Sequence, residues 1–214
     1  MQKKVVIAIS GGMDSTTLLY YLKSKKYEIT ALSFDYGQRH IKELAFARQN
    51  CNELGIKHQV VDLSAISKLF DNSCLVNKDI AVPEGHYQSE TMKLTVVPNR
   101  NMMMLSIAIA YAENLKYAAV AIANHAGDHA IYPDCRPKFI KYLSRAAETG
   151  TYNKIKIFAP FTHYTKRQIA KIGLKLGVDY SKTWTCYKGE DKPCGKCGSC
   201  VERREALLNL DGGE

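Results

Sequence analysis

Short apolar runs rich in β-branched residues alternate with helix-period segments along the first third of the chain. The runs at 5–9, 27–34 and 57–63 are typical of strands. Between them, apolar residues follow a helical period at 16–22 and within 39–54. The second of these helices carries, on one face, Ile41, Leu44, Ala47, Cys51 and Leu54. Strands joined through helices by short links run parallel, with right-handed crossovers, so the pattern predicts a doubly wound sheet.

The alternation of strand and helix patterns is interrupted at residues 64–99, which follow neither period and contain Pro83, Gly85 and Pro98. Because so long a connection inside a compact domain is usually functional, we expect a lid or substrate loop there. The later predicted elements are a helix at 101–116, a strand at 117–123, a helix at 138–147, a strand at 154–158, a helix opened by a capping box at 165–168, and a helix at 201–210. Helix 101–116 is apolar on all sides and is therefore expected to be buried. The fold class predicted is α/β, with a doubly wound, mostly parallel five-stranded sheet.

Length and composition add limits to this picture. A chain of 214 residues can bury one substantial core, and we expect an α/β domain at 1–180 followed by a small segment at 181–214. The most apolar stretch, 102–112, is shorter than the ~20 residues needed to cross a bilayer, and no leader segment is evident. We therefore expect a cytoplasmic protein without a membrane partner. The net charge of +9 fits a polyanion such as ATP or a nucleic acid, although the lysines are scattered, as on any solvated basic surface.

The sequence SGGMDS at 10–15 lies between the first strand and the first helix. Backbone N–H groups and the helix dipole favour an anion at such a junction, and Gly11 and Gly12 let a phosphate approach the backbone. Ser10 and Ser15 add hydroxyl donors. Asp14 would repel phosphate, so its expected role is to hold a Mg²⁺ that bridges phosphate oxygens. A plain strand-to-helix turn capped by a side chain is the simpler alternative.

Four cysteines are crowded into the C-terminal segment in the arrangement C-x7-C-x2-C-x2-C: Cys186, Cys194, Cys197 and Cys200. Four thiolates complete a tetrahedral shell around Zn²⁺ and leave no open position, so the sequence predicts one structural zinc per chain that holds the segment against the domain. A [4Fe–4S] cluster and a redox pair are the alternatives.

Three further loops carry chemistry. FDYGQRH at 34–40 leaves the second strand at the edge where ligands bind in open α/β sheets. There Arg39 can meet a phosphate, His40 can donate to one, and Tyr36 offers a ring face. Arg100 lies at the start of a helix, an unfavourable place for a cation unless an anion binds there. In YPDCRP, at 132–137, two prolines provide a rigid mount for an acid and a guanidinium. The histidines at 125 and 129 are interpreted as surface groups, and no role is assigned to the other three outside the FDYGQRH loop.

The SGGMDST stretch resembles the SGGxDS loop of the PP-loop ATP pyrophosphatases, which cleave ATP between its α- and β-phosphates. Together with FDYGQRH, VPNRN at 97–101, YPDCRP and the cysteines, in this order from 5 to 200, it resembles the 7-cyano-7-deazaguanine synthase family of the queuosine and archaeosine pathways. Segment 124–130 departs from the pattern, since a lead-in richer in glycine or acid is expected there.

The resemblance implies an adenine nucleotide alpha hydrolase-like fold and a zinc-containing homodimer. It also implies a ligase that uses ATP, Mg²⁺ and ammonia to turn 7-carboxy-7-deazaguanine into the nitrile, without a direct nucleic-acid partner. The residues expected to bind ATP are Ser10, Gly11, Gly12, Met13, Asp14, Ser15 and Thr16. Those expected to bind the second substrate are Tyr36, Gln38, Arg39, His40, Asp134 and Arg136. Those expected to serve catalysis are Asp14, Ser15, Arg39 and Arg100.

Two other functions stay open. The positive charge also fits a PP-loop enzyme that modifies tRNA, although no arginine-rich or aromatic-interleaved tract marks an RNA surface. A non-catalytic nucleotide-binding module held together by zinc is the third. ATP turnover that depends on the deazaguanine acid distinguishes nitrile synthesis from both of these alternatives.

Overall fold

The computed structural model describes residues 3–86 and 90–210, so the end of the predicted segment 181–214 lies outside the described residues. Its centre is a parallel five-stranded sheet in the order β3-β2-β1-β4-β5. The strands are β1 (Lys4–Ala8), β2 (Glu28–Asp35), β3 (Lys57–Asp62), β4 (Ala119–Ala121) and β5 (Lys156–Phe158). The predicted α/β class and the parallel sheet are confirmed, although β4 and β5 are shorter than the apolar runs that predicted them.

The described residues form six α-helices, the first five of which pack against the two faces of the sheet, while the last packs on the fifth. They are α1 (Met13–Ser24), α2 (Glu43–Glu53), α3 (Arg100–Asn114), α4 (Pro137–Gly150), α5 (Lys166–Lys175) and α6 (Gly198–Leu207). Val5 and Ile7 of β1 pack with residues of α1, α2 and α5, while Val6 between them packs with α3 and α4. This alternation follows from the period of two along a strand, and it makes the fold doubly wound. The chain crosses from β3 to β4 past β1, which leaves a crevice at the carboxyl end of β1.

The packing of α1 on α5 fixes the helix that follows the SGGMDS loop. Thr17 on α1 lies 2.8 Å, oxygen to oxygen, from the hydroxyl of Tyr180. Gly173 on α5 faces both side chains, and a Cβ there would lie 2.9 Å from Thr17 Oγ1 and 2.8 Å from Tyr180 Cζ. The capping box predicted at Thr165 and Gln168 is confirmed, so α5 begins where the sequence places it.

Two helix predictions are wrong in detail. The helix expected from residue 39 begins at Glu43, and Ile41, expected on its buried face, is 48% exposed. Residues 39–42 instead form turns, in which the Arg39 N–H donates to the Leu75 carbonyl. Helix α3 is buried only along Leu105, Ala108, Ile109 and Ala112. Apolar composition on all sides therefore does not bury this helix, because only one of its faces meets the sheet. No helix among the described residues is long and apolar enough to cross a membrane.

Replacing Gly173 with alanine tests the α1–α5 packing. The new methyl group meets Thr17 and Tyr180, so we expect overpacking to lower the free energy of unfolding by ~1 to 3 kcal/mol. Gly150→Ala at the end of α4 is the control, because nothing lies within 4 Å of its added Cβ; it is expected to be neutral or to stabilise by ~0.4 to 1 kcal/mol. Urea unfolding measures both, and equal effects of the two changes would contradict the packing argument.

Candidate functional site: a cleft at the SGGMDS loop

The SGGMDS loop turns tightly between β1 and α1. Gly12 caps α1 without a side-chain hydrogen bond, so the alternative of a turn capped by a side chain is not what the structure has. Ser10 and Ser15 instead bond across the turn: the Ser10 N–H donates to Ser15 Oγ at 3.2 Å, and the Gly12 N–H donates to Ser10 Oγ at 3.2 Å. The N-terminus of α1 therefore faces the crevice without a carboxylate cap of its own, as an anion site requires.

Gly11 holds this loop against its neighbours. Its φ of +88° is in the left-handed region, and an added Cβ would clash with the Glu43 carbonyl and lie 2.7 Å from the Ala47 nitrogen. The Gly11 carbonyl accepts a hydrogen bond from the Trp184 N–H at 3.0 Å. Glycine is needed here both for its φ and for its lack of a side chain. The loop is thus packed between α2 and the C-terminal segment.

A cleft of about 220 Å³ opens in front of the loop. Of the predicted residues, those that line it are Ser10, Gly12, Met13, Asp14, Ser15, Tyr36, His40 and Arg100. The lining residues that the sequence analysis did not assign include Glu43, Asn124, Asp128, Tyr132, Lys166, Trp184, Tyr187 and Ser199. Gly11 and Thr16 do not line the cleft, and Thr16 is fully buried. Residues from both ends of the chain therefore build one cavity.

Arg39 and Gln38 do not line the cleft. The Arg39 guanidinium donates to the carbonyls of Asn77 and Ile80, both at 2.9 Å, and so holds the irregular segment 64–99. Gln38 donates to the Phe34 carbonyl and accepts from the Tyr36 N–H, which fixes the turn after β2. The substrate contacts predicted for these two residues stay predictions, and their contacts here are structural.

Asp134 and Arg136 do not line the cleft either. Asp134 Oδ2 accepts the backbone N–H of Asn101 at 2.8 Å, in the first turn of α3. Arg136 Nε donates to the carbonyl of His129 at 3.0 Å and is exposed. Asp134 thus satisfies the positive end of the α3 dipole, which leaves Arg100 beside it free to face the cleft. The roles predicted for Asp134 and Arg136 in substrate binding stay untested.

Arg100 and Tyr36 meet in the cleft. Arg100 donates to the Tyr36 hydroxyl at 2.9 Å, and its guanidinium carbon lies 5.5 Å from the ring centroid. Burial raises the pKa of Tyr36 to about 12, so the phenol stays neutral. A half-buried cation in a cleft lined with aromatic rings can bind a planar anionic ligand.

A network of charged groups borders the loop on its other side. Lys166 Nζ lies 3.3 Å from Asp14 Oδ2 and 2.6 Å from Glu202 Oε2. Burial alone would lower the pKa of Lys166, but Asp14 and Glu202 outweigh that effect and raise it, so the ammonium stays charged. Asp14 Oδ1 is buried without a hydrogen-bond partner among the described residues. That oxygen is available to a cation, which fits the Mg²⁺ predicted at Asp14.

His125 lies inside the same network, and the expectation of a surface group is wrong because it is only 1% exposed. Its Nδ1 accepts the Gly127 N–H at 3.0 Å, which assigns the proton of the neutral ring to Nε2. Nε2 is 3.4 Å from Asp128 Oδ1, 3.7 Å from Asp14 Oδ2 and 3.9 Å from Glu202 Oε1. The segment 124–130, which departs from the family pattern, therefore supplies groups that surround Asp14.

Glu43 and His40 form a second buried pair, with His40 Nε2 3.5 Å from Glu43 Oε1. Burial raises the pKa of Glu43 to about 8, although Arg100 and the Gln38 amide act in the opposite direction. Burial, together with Arg100, lowers the pKa of His40 to about 3. Both groups are therefore largely uncharged near neutral pH, and His40 Nδ1 has no hydrogen-bond partner among the described residues.

The four cysteines converge. Their sulfurs all lie within 4.8 Å of one another, and Cys194 Sγ is 4.0 Å from Cys200 Sγ. Bonds of ~2.3 Å from sulfur to zinc at tetrahedral angles place sulfurs about 3.8 Å apart, so the four thiols fit one such ion with little movement. The cluster packs with Leu75, Val82 and Trp184. The backbone of Glu84, in segment 64–99, forms an isolated antiparallel β-bridge with that of Cys197. A metal here would join that segment to the cleft wall.

Lys166 and Arg203 show what the sequence analysis missed. Lys166 is in the first turn of α5, where a cation opposes the helix dipole. The same signal drew attention to Arg100, so it was present in the sequence. Arg203 donates to the Thr183 and Thr185 hydroxyls and so braces the segment that carries Trp184. Nothing local in the sequence indicates that contact, because it joins residues on different turns of the C-terminal segment.

Comparison with known proteins adds a family. The family model described as "Queuosine biosynthesis protein QueC" matches residues 4–211. A 7-cyano-7-deazaguanine synthase from Psychromonas ingrahamii is 54% identical over 207 residues, which is 97% of this chain and 94% of the relative. One from Hahella chejuensis is 55% identical over 208 residues, covering 97% of this chain and 90% of the relative.

Solved structures of low sequence identity share the fold. NMN synthetase from Francisella tularensis has a TM-score of 0.54 and 16% identity, and the match covers 100% of this chain and 79% of that one. NH3-dependent NAD synthetase from Campylobacter jejuni has a TM-score of 0.50 and 17% identity, and the match covers 85% and 67% of the two chains. At these identities the likeness concerns the fold alone.

Glu43→Gln tests the buried acid through the pH dependence of stability. Because the folded pKa of about 8 lies above the ordinary value of 4.5, the unfolded chain releases this proton first, and stability falls as pH rises between those values. The variant lacks this loss, so its stability relative to wild type should rise between pH 5 and pH 8, by on the order of a few kcal/mol. Urea unfolding at pH 5, 6.5 and 8 measures it. A difference that does not change with pH would contradict the assignment.

Proposed function

The chain belongs to the QueC family of queuosine biosynthesis proteins, and from that premise we propose that it is an ATP-dependent synthetase that converts 7-carboxy-7-deazaguanine and ammonia into 7-cyano-7-deazaguanine. The observation that carries the proposal is the cleft, where the SGGMDS loop, the half-buried Arg100 and several aromatic rings line one cavity. The loop can hold a pyrophosphate, and Arg100 with the aromatic rings can hold a planar acid, so the two substrates meet in one place.

The reaction needs the same carbon activated twice. The substrate carboxylate attacks the α-phosphorus of ATP, the bond to the bridging oxygen of the β-phosphate breaks, and pyrophosphate leaves. Ammonia then displaces AMP and gives the amide. The amide oxygen attacks a second ATP in the same way, and loss of AMP with two protons leaves the nitrile. No side-chain nucleophile is required, so orientation and charge stabilisation are the protein's contribution.

The cleft residues divide this work by charge. Backbone N–H groups of the loop, with Ser10 and Ser15, would receive the pyrophosphate, and Asp14 would hold a Mg²⁺ that supplies positive charge to it. Arg100 faces an anionic group of either substrate. Arg39, which binds the carbonyls of segment 64–99, acts by holding that segment in position. The cytoplasmic location, the homodimer and the absence of a nucleic-acid partner remain part of the proposal through the family.

The decisive assay incubates the protein with Mg²⁺, ATP, ammonium and 7-carboxy-7-deazaguanine, and follows the product by mass. We expect amide and then nitrile, with AMP and pyrophosphate. Asp14→Asn should lower turnover ~10² to 10³-fold, as loss of a charge-stabilising group does. Asp71→Asn is the control, because Asp71 is exposed, and it should leave turnover unchanged. If ATP is hydrolysed with tRNA as the stimulant and neither product forms, a tRNA-modifying enzyme replaces this proposal.

We further propose that the four-cysteine cluster holds one structural zinc. Elemental analysis of protein produced without added metal should find zinc at about one per chain. Cys197→Ala should lose the metal and a large part of the stability, because binding to a structural site contributes to folding. Cys51→Ala is the control, since Cys51 is fully buried but lies outside the cluster; it should keep the metal. Iron with acid-labile sulfide would establish a cluster instead.

A further inference from the structure

Three carboxylates line the cleft within the described part of the chain: Asp14, Glu43 and Asp128. Asp14 faces Lys166, and Asp128 accepts the His125 backbone N–H at 3.1 Å. Each of these two therefore already has a partner in the network beside the loop. Glu43 belongs to the other side of the cleft, and the reaction described above gives it no role.

Glu43 is poorly supplied with donors. Gln38 Nε2 lies 3.4 Å from Glu43 Oε1, and His40 Nε2 lies 3.5 Å from the same oxygen. Both distances are at the outer limit of a hydrogen bond, while a carboxylate has about four acceptor sites on its two oxygens. The raised pKa of this group has the same cause, since burial without good donors disfavours the ionised form. A ligand that brings N–H donors would supply what the protein does not.

A series of ring contacts begins at His40, the neighbour of Glu43, and continues among aromatic residues that line the same cleft. His40 packs against the Tyr187 ring with centroids 5.5 Å apart, and the hydroxyls of Tyr187 and Tyr132 lie 3.4 Å apart. Arg100 is close enough to shift the pKa of Glu43 and stands over the Tyr36 ring. One part of the cleft thus combines a carboxylate that lacks donors, flat apolar faces and a cation. This set is complementary to a flat heterocycle that has N–H donors on one edge and an anionic group on another.

We propose that Glu43 is a specificity-determining residue that accepts hydrogen bonds from the ring N–H and the exocyclic amine of a guanine-like substrate. This inference rests on the proposed function and names the residue that selects the guanine edge. The sequence predicted that Asp134 binds this substrate, but its carboxylate accepts the Asn101 N–H and Asp134 does not line the cleft. Glu43 lines the cleft and has acceptor capacity to offer.

The test compares two ligands on two proteins. The ligands are 7-carboxy-7-deazaguanine and the same acid without the exocyclic amine, and calorimetry gives their dissociation constants. Wild type should prefer the guanine form about 10- to 100-fold, since a buried acceptor left without its donor costs ~1 to 3 kcal/mol. Glu43→Gln should reduce that preference at least tenfold, because the amide N–H₂ then faces a ring N–H instead of accepting from it.

Glu53→Gln is the matched control, because it makes the same chemical change on α2 at an exposed residue paired with Lys182. Its preference should equal that of wild type. Glu43→Asp keeps the carboxyl group but withdraws it by one methylene, so it should give an intermediate preference, and it serves if the glutamine variant does not fold. A wild-type preference near one overturns the inference without any variant.

The outcomes separate this inference from the function on which it rests. If wild type makes the nitrile but Glu43→Gln keeps the full preference for the guanine form, the inference is wrong and the function stands. The same holds if the variant changes only the KM for ammonium, because Glu43 would then hold the nitrogen donor. If wild type neither binds nor converts the acid, the proposed function fails and the inference fails with it.

Discussion

The close approach of the SGGMDS loop to α2 is the constraint on which the cleft depends. At Gly11 the backbone is so near the first turn of α2 that no Cβ fits, and its φ excludes most other residues for a second reason. On its other side the Trp184 N–H holds the Gly11 carbonyl. The loop is therefore shaped before any ligand arrives, and donors fixed in advance need no reorganisation when charge develops on a bound phosphate. The same packing places Glu43, the first residue of α2, at the cleft.

The buried charges beside the loop are arranged for a further cation. Asp14, Asp128 and Glu202 surround Lys166 and a His125 ring whose Nδ1 is already an acceptor. Three carboxyl groups thus lie beside one lysine ammonium. Buried charge without compensation is costly, and Asp14 Oδ1 has no hydrogen-bond partner among the described residues. A divalent ion shared with phosphate oxygens would offset both, which connects the stability of this region to ligand binding.

The strand-helix order, the parallel sheet and the loop after β1 could be predicted from the sequence, because each depends on local periodicity or on a short motif. Lys166 and Glu202 approach Asp14 only in the folded chain, and no local pattern pairs them. Asp134 and Arg39 show the converse. Their residue types are right for ligand contacts, but backbone groups compete for them: Asp134 accepts from Asn101, and Arg39 donates to two carbonyls of segment 64–99. The sequence shows which side chains can donate or accept hydrogen bonds, but their partners are determined by the fold.

The C-terminal segment contributes more than a separate metal-binding unit would. Trp184, Tyr187 and Ser199 line the cleft, and in the sequence they lie next to or between the four cysteines. Glu202, two residues beyond Cys200, reaches back to Lys166 at the SGGMDS loop. Residues 183–197, which carry Trp184 and Tyr187, form no helix or strand, so a metal bound by four thiolates would help to order them. Under the proposed function, a structural ion without any open coordination position would still influence catalysis, because it would fix one side of the cleft in which the substrates are oriented.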